Sequence, residues 1–189
     1  MAHAAYIDVS GNSKTSHTTD MTTTLDLRKV FGVMMTYNAN QAPSEPFEMN
    51  AEFEPGAKSG LHIHPGQDEY YRLKEGELEV YLSGKWNKLV VGGEVHIPQG
   101  TQHAFRNIGA KKAIATNKHI PGLRTQEYFE AIQRLINDGK VTGMTGLRNG
   151  IYLSLHSVEF ADVVVLRQPP DALIKVAAFI GRMSGYKIE

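Results

Sequence analysis

Between Gly56 and Gly76 the chain reads Gly56-Ala57-Lys58-Ser59-Gly60-Leu61-His62-Ile63-His64-Pro65-Gly66-Gln67-Asp68-Glu69-Tyr70-Tyr71-Arg72-Leu73-Lys74-Glu75-Gly76. On an extended strand, residues two apart face the same side, so His62 and His64 point together while Ile63 points away. Pro65 and Gly66 end that strand, since proline fixes φ and glycine accepts the positive φ of a tight turn. Glu69 then opens the next strand, where its carboxylate can return beside the two imidazoles.

A second cluster lies further along: Gly92, five residues, Pro98, Gln99, Gly100, two residues, His103, three residues, Asn107. Pro98 and Gly100 shape a turn, and His103 starts the strand after it. Pointing inward, His103 supplies a fourth ligand. The chain has no cysteine, which leaves histidine, carboxylate and water as metal ligands. Three neutral imidazoles and one carboxylate suit one divalent transition metal: Fe, Mn, Ni, Zn, Co or Cu.

Around these clusters, from about residue 30 to 120, short apolar or alternating runs are punctuated by Gly, Pro and Asn, the pattern of an all-β sandwich or barrel. The spacing predicts strands over Val30 to Tyr37, Phe47 to Phe53, Ser59 to His64, Glu69 to Lys74, Glu77 to Leu82, Trp86 to Val91, Glu94 to Ile97, His103 to Asn107 and Lys112 to His119. After Pro121-Gly122 the pattern changes. Tyr128, Phe129, Ile132, Leu135 and Ile136 form one helical stripe that begins after Thr125 and stops at Gly139. A last helix begins at Pro169-Pro170, is apolar nearly all round and ends near Gly185. Leu147 to Leu166 is read as helix, although Val163 to Leu166 alone would suit a strand. The first two dozen residues, rich in threonine and without apolar period, read as a flexible tail. The expected division is a tail over 1–24, a barrel over 25–122 and a helical extension packed on the barrel over 123–189.

The bulk numbers agree with one ordinary domain. The chain has 189 residues, and roughly 100–200 residues make a domain. Twenty Lys+Arg balance twenty Asp+Glu, so the field that would steer a nucleic-acid backbone or an anionic membrane is missing. No apolar run approaches the ~20 residues that span a bilayer. A cytoplasmic protein with neither nucleic-acid nor membrane partners is expected.

The two clusters resemble the paired sequence motifs of the cupin superfamily. The first motif's glycine, two histidines, glutamate and closing glycine are all present, as are the second motif's proline, glycine, histidine and asparagine. The resemblance covers roughly residues 47 to 120. It implies an all-β jelly-roll barrel, or double-stranded β-helix, holding a metal on His62, His64, Glu69 and His103, with C-terminal α-helices added. It implies no single reaction, because the superfamily includes dioxygenases, decarboxylases, isomerases, lyases and binding proteins.

Strand parity extends the reading to neighbours of the ligands. With Glu69 inward, Tyr71 and Leu73 are inward too, and Tyr70 and Arg72 lie outside. Likewise Phe105 and Asn107 face in and Arg106 out. Tyr71 is the candidate catalytic residue, a hydroxyl beside the metal. Lys58 shares the parity of His62 and could reach the barrel mouth to recruit an anion. His96, His119 and His156 read as structural, His3 and His17 fall in the tail, and Met34, Met35 and Trp86 read as core packing. The resulting expectation is a metal-dependent, oxygenase-like (dioxygenase-type) enzyme on a small organic substrate, working as a homodimer. The alternatives are a redox-neutral lyase, decarboxylase or isomerase on a small carboxylate, and a non-enzymatic protein that senses a small ligand.

Overall fold

The computed structural model describes residues 22–39 and 41–188. Residues 1–21, which hold most of the expected tail, lie outside the described residues. Six strands form the larger sheet in the order β1-β2-β3-β10-β5-β8. They are β1 (Thr22–Leu27), β2 (Val33–Asn38), β3 (Phe47–Phe53), β5 (Asp68–Glu75), β8 (Glu94–Ile97) and β10 (Ala113–Ile120). Every pairing among them is antiparallel. Alternation is clean in β3, where Phe47, Met49, Ala51 and Phe53 are buried while Glu48 and Asn50 face solvent. That is the signature of a sheet with one face on the core.

The facing layer has two parts. β6 (Glu79–Leu82), β7 (Lys85–Lys88) and β9 (Ala104–Arg106) form one three-stranded sheet, and β4 (His62–Ile63) pairs with β11 (Val165–Leu166) in another. Reciprocal hydrogen bonds between His62 and His103, at 3.0 and 2.9 Å, join β4 to the β9 side. The two layers make a jelly roll. Its core includes Leu27, Phe53, Leu73, Leu78 and Ile97, each no more than 2% exposed.

Several boundaries differ from the sequence reading. The expected tail edge at residue 24 falls inside β1, and residues 30–32 belong to the short helix α1 (Arg28–Phe31) and the turn after it. Threonines are β-branched strand formers, and Leu25 and Leu27 supply a short inward alternation that the threonine-rich run hides. Gly32 completes the turn into β2 at φ +71°, and a Cβ there would meet Ala57 Cα at 2.8 Å. The strand expected to run from Trp86 to Val91 is the shorter β7, with Val90 and Val91 exposed at its end.

Three further helices follow: α2 (Thr125–Asn137), α3 (Leu147–Glu159) and α4 (Asp171–Met183). The ambiguous stretch is thus both things read into it, a helix and then the strand β11. The stripe on α2 buries Tyr128, Ile132, Leu135 and Ile136. Polar contacts bind the same helix to the large sheet: Tyr37 Oη donates to Glu130 at 2.7 Å, and Asp26 N donates to Gln133 Oε1 at 2.5 Å. His156 Nε2 meets the Tyr128 carbonyl at 2.9 Å and ties α3 to α2, the structural role expected of it. On α4 only Ile174, Ala178 and Gly181 are buried. Gly181 seats against Ile151, while Leu173, Val176, Phe179, Ile180 and Met183 remain exposed. Among the described residues, α4 is thus covered on one face only, the one that carries Ile174, Ala178 and Gly181.

Candidate metal centre

The reciprocal backbone bonds between His62 and His103 set the two rings side by side, centroids 4.2 Å apart. His64, two residues on and just past the end of β4, has its ring 5.2 Å from that of His103. Glu69 enters from β5 and brings Oε2 to 2.6 Å from His103 Nε2 and 3.6 Å from His64 Nε2. All four residues are buried, and one ligand atom from each lies within 4.8 Å of the others. Donors on opposite sides of an ion, each at about 2.1 Å, are about 4.2 Å apart. Movements of a few tenths of an ångström per side chain close that difference. The four sequence-predicted ligands therefore come together in one place.

Hydrogen bonding decides which ring nitrogen faces the centre. Nδ1 of His62, His64 and His103 lies 2.8 Å from the carbonyls of Gly60, Val163 and Thr101 respectively. A carbonyl only accepts, so each Nδ1 carries a proton, and in the neutral ring each Nε2 presents a lone pair inward. Glu69 Oε2, His64 Nε2 and His103 Nε2 are buried with no hydrogen-bond partner. The 2.6 Å contact between Glu69 and His103 is therefore close without being aligned. Lone pairs converging in a buried space repel unless a cation lies among them, and the donor set is one that divalent ions accept. The residues fit a metal ion.

Titration follows from the same geometry. Burial, with the neighbouring His103 and His64, pushes His62 down to about 3. Burial opposes charge on Glu69 too, but the neighbouring histidines, His103 foremost with His119 and His64, outweigh it and hold the group well below the usual range. Glu69 overcomes the cost of burial and raises His103, so a proton and a metal ion would compete for its Nε2. Burial and the Glu69 charge push Tyr71 well above the ordinary phenol value, so it stays protonated and able to donate.

The carboxylate is oriented from β10. Asn117 Nδ2 donates to Glu69 Oε1 at 2.8 Å, and His119 Nε2 lies 3.3 Å from the same oxygen. The β10–β5 register explains this, with His119 opposite Glu69 and Asn117 opposite Tyr71. His119 is structural, as read, but its job is to hold a ligand. Asn117 escaped the sequence reading; its only signal was sharing the inward parity of His119.

A cavity of about 70 Å³ opens beside the cluster. His62, His64 and Glu69 form its polar end, with Tyr71, Asn117 and Ser59 nearby. Met35, Met49, Phe53 and Phe105 make an apolar wall, and Tyr128, Phe129, Val164 and Leu166 of the C-terminal extension make another. Tyr71 and Phe105 thus face in as parity required. Lys58 does not: it is exposed and absent from the lining, while Ser59 and Gly60 line the cavity. Residues 57–61 are not regular strand, so counting by twos back from His62 fails there. Arg72 and Arg106 point outward, Arg106 lying over Trp86 and pairing with Glu79 at 2.7 Å. His96 stacks on Tyr70 and pairs with Asp68 on the surface.

Residues 49–117 match a family model described as a cupin domain, and both ligand clusters lie inside the match. The chain carries a cupin domain. A curated relative, polyketide synthase CurC of Streptomyces cyaneus, is 36% identical over 63 residues, which are 33% of this chain and 41% of that protein. The match thus spans less than half the relative's length. Solved structures similar to the chain include KdgF from a Halomonas species, at 21% identity and TM-score 0.46, covering 52% of this chain and 87% of that one. A predicted oxalate decarboxylase from Thermotoga maritima is 23% identical at TM-score 0.44, covering 47% of this chain and 80% of that one. His119 and the whole extension lie beyond the matched cupin domain. No helix among the described residues is long and apolar enough to cross a membrane.

Proposed function

We propose that this protein is a metal-dependent enzyme of the oxygenase type, acting on a small uncharged organic molecule held in the cavity beside the cluster. One observation supports this above the others: three imidazole Nε2 atoms and one carboxylate oxygen converge in a buried space that opens onto an apolar cavity. A bound divalent ion such as Fe, Mn, Ni, Zn, Co or Cu would supply Lewis acidity and open coordination positions for small molecules. His62, His64, Glu69 and His103 would hold it, and Asn117 and His119 would orient Glu69. Tyr71, protonated and facing the cavity, can donate a hydrogen bond to an oxygen of the bound molecule. The two apolar walls bind the substrate's hydrocarbon surface and exclude water.

Charge argues for a neutral substrate. None of the described residues that line the cavity is lysine or arginine, and a small carboxylate would find no cation among them apart from the ion itself.

The test is O₂ uptake by metal-loaded protein, supplied in turn with neutral aromatic compounds and small carboxylates. Uptake that depends on a neutral compound is expected. Turnover of a carboxylate without O₂ would replace this reading with redox-neutral lyase, decarboxylase or isomerase chemistry. Saturable binding with no turnover would make the protein a ligand sensor.

A further inference from the structure

The three imidazoles of the cluster are held alike, but by carbonyls of different origin. Gly60 and Thr101 stand two residues before His62 and His103, so their carbonyls come with the loops that carry the ligands. The carbonyl that holds His64 belongs to Val163, 99 residues later and outside the matched cupin domain. Its position depends on how the extension docks. Val163 is fully buried, and its own N–H donates to Phe160 at 2.9 Å. Phe160 in turn packs against Tyr128 and His156. On the other side β11 runs antiparallel to β4, Val165 opposite Ile63 and Leu166 opposite His62, and Arg167 N donates to Leu61 O at 2.8 Å.

We propose that the C-terminal extension is a determinant of metal affinity, with Val163 as a positioning residue whose carbonyl selects the His64 tautomer and aims its Nε2 at the cluster. This rests on the metal reading above. An imidazole without such a partner samples both tautomers and rotates about its χ angles. Groups that orient a ligand in this way are worth 10- to 100-fold in metal affinity when removed. The extension is thus part of the metal centre without giving it a ligand atom, and the same strand lays Val164 and Leu166 along the cavity wall.

The experiment uses the full chain and Co²⁺ or Mn²⁺ alone, with affinity measured by competition against a chromogenic chelator. Arg167→Pro deletes the N–H that anchors the end of β11 to Leu61, and the Arg167 side chain it replaces is exposed. Its affinity should fall about 10- to 100-fold, whereas Arg167→Ala, which keeps the N–H, should match wild type. An Arg167→Pro protein that folds and binds like wild type overturns the positioning role. Should that variant fail to fold, imidazole ¹⁵N spectra of the metal-free wild-type chain decide the matter. His64 protonated on Nδ1 supports the proposal, and His64 protonated on Nε2 overturns it. Wild type that takes up neither ion would overturn the metal reading itself, an outcome distinct from equal affinity in wild type and variant.

Discussion

The loops carrying His62 and His103 and the extension carrying Val163 perform the same task, fixing an imidazole by its Nδ1–H, by opposite means. In the loops the acceptor is two residues away, and the turn that places the ligand places its partner too. In the extension the acceptor arrives only after α2, α3 and the turn at Phe160 have found their places. Local contacts carry little loop-closure entropy, while distant ones must be sustained by packing elsewhere. The cupin domain therefore holds two of the three imidazoles by sequence proximity, and the extension holds the third by burial of Tyr128, Ile132, Leu135 and Phe160.

The largest effect is expected inside the cupin domain. His62→Ala removes a donor atom, and its loss should exceed the ~100-fold cost of losing a mere orienting group. His96→Ala should load metal like wild type, because its ring sits on the surface over Tyr70. Elemental analysis of protein purified without a metal column checks both; equal loading of His62→Ala and wild type breaks the assignment of the site.

A smaller effect tests whether the two regions fold as one. Leu135 is fully buried in α2, and truncating such a leucine costs about 2–5 kcal/mol. Leu135→Ala should lower the denaturant midpoint of a single transition seen alike by far-UV and near-UV dichroism. Two separated transitions would show that the extension melts independently, and would remove the physical basis for Val163 acting on the barrel.

The smallest expected effect is one of pH, and it sharpens the same contrast from the extension's side. Burial holds His156 down to about 4, against the ordinary histidine value of about 6.5. Between those values the unfolded chain takes up a proton that the folded chain refuses. Stability should therefore fall as pH drops from about 6.5 through 4, level off below, and owe nothing to this residue above neutrality. The full span is up to about 3 kcal/mol. Denaturation of metal-free wild type and His156→Gln across this window isolates the contribution, since His62 is common to both. Parallel pH profiles would mean that His156 titrates alike in the folded and unfolded chain.

The ligand set was legible because its geometry is nearly all local. Alternation from His62 to His64, the turn at Pro65-Gly66 and the turn before His103 aim four ligands at the space between the two layers, and each of those rules acts over a few residues. The same rules gave Tyr71 and Phe105 their inward direction and α2 its stripe. They failed wherever the local pattern lapsed. Lys58 was misdirected because residues 57–61 leave strand geometry, and β1 went unread because threonines mask its alternation. Asn117 and His119 carried too little signal alone; their meaning comes from standing opposite Tyr71 and Glu69 across a sheet.

By itself, then, the amino-acid sequence determined the cupin barrel, the four candidate ligands and the helical character of the C-terminal third, since periodicity and turn chemistry are properties of neighbouring residues. Only the tertiary structure decided that this third enters the site, through the Val163 carbonyl on His64 and the wall of Tyr128, Phe129, Val164 and Leu166. A backbone carbonyl has no residue identity, so nothing in the letters at 163 marks it as a partner for a histidine 99 positions earlier. That pairing exists because buried apolar surface on α2 and α3 positions the strand that carries it.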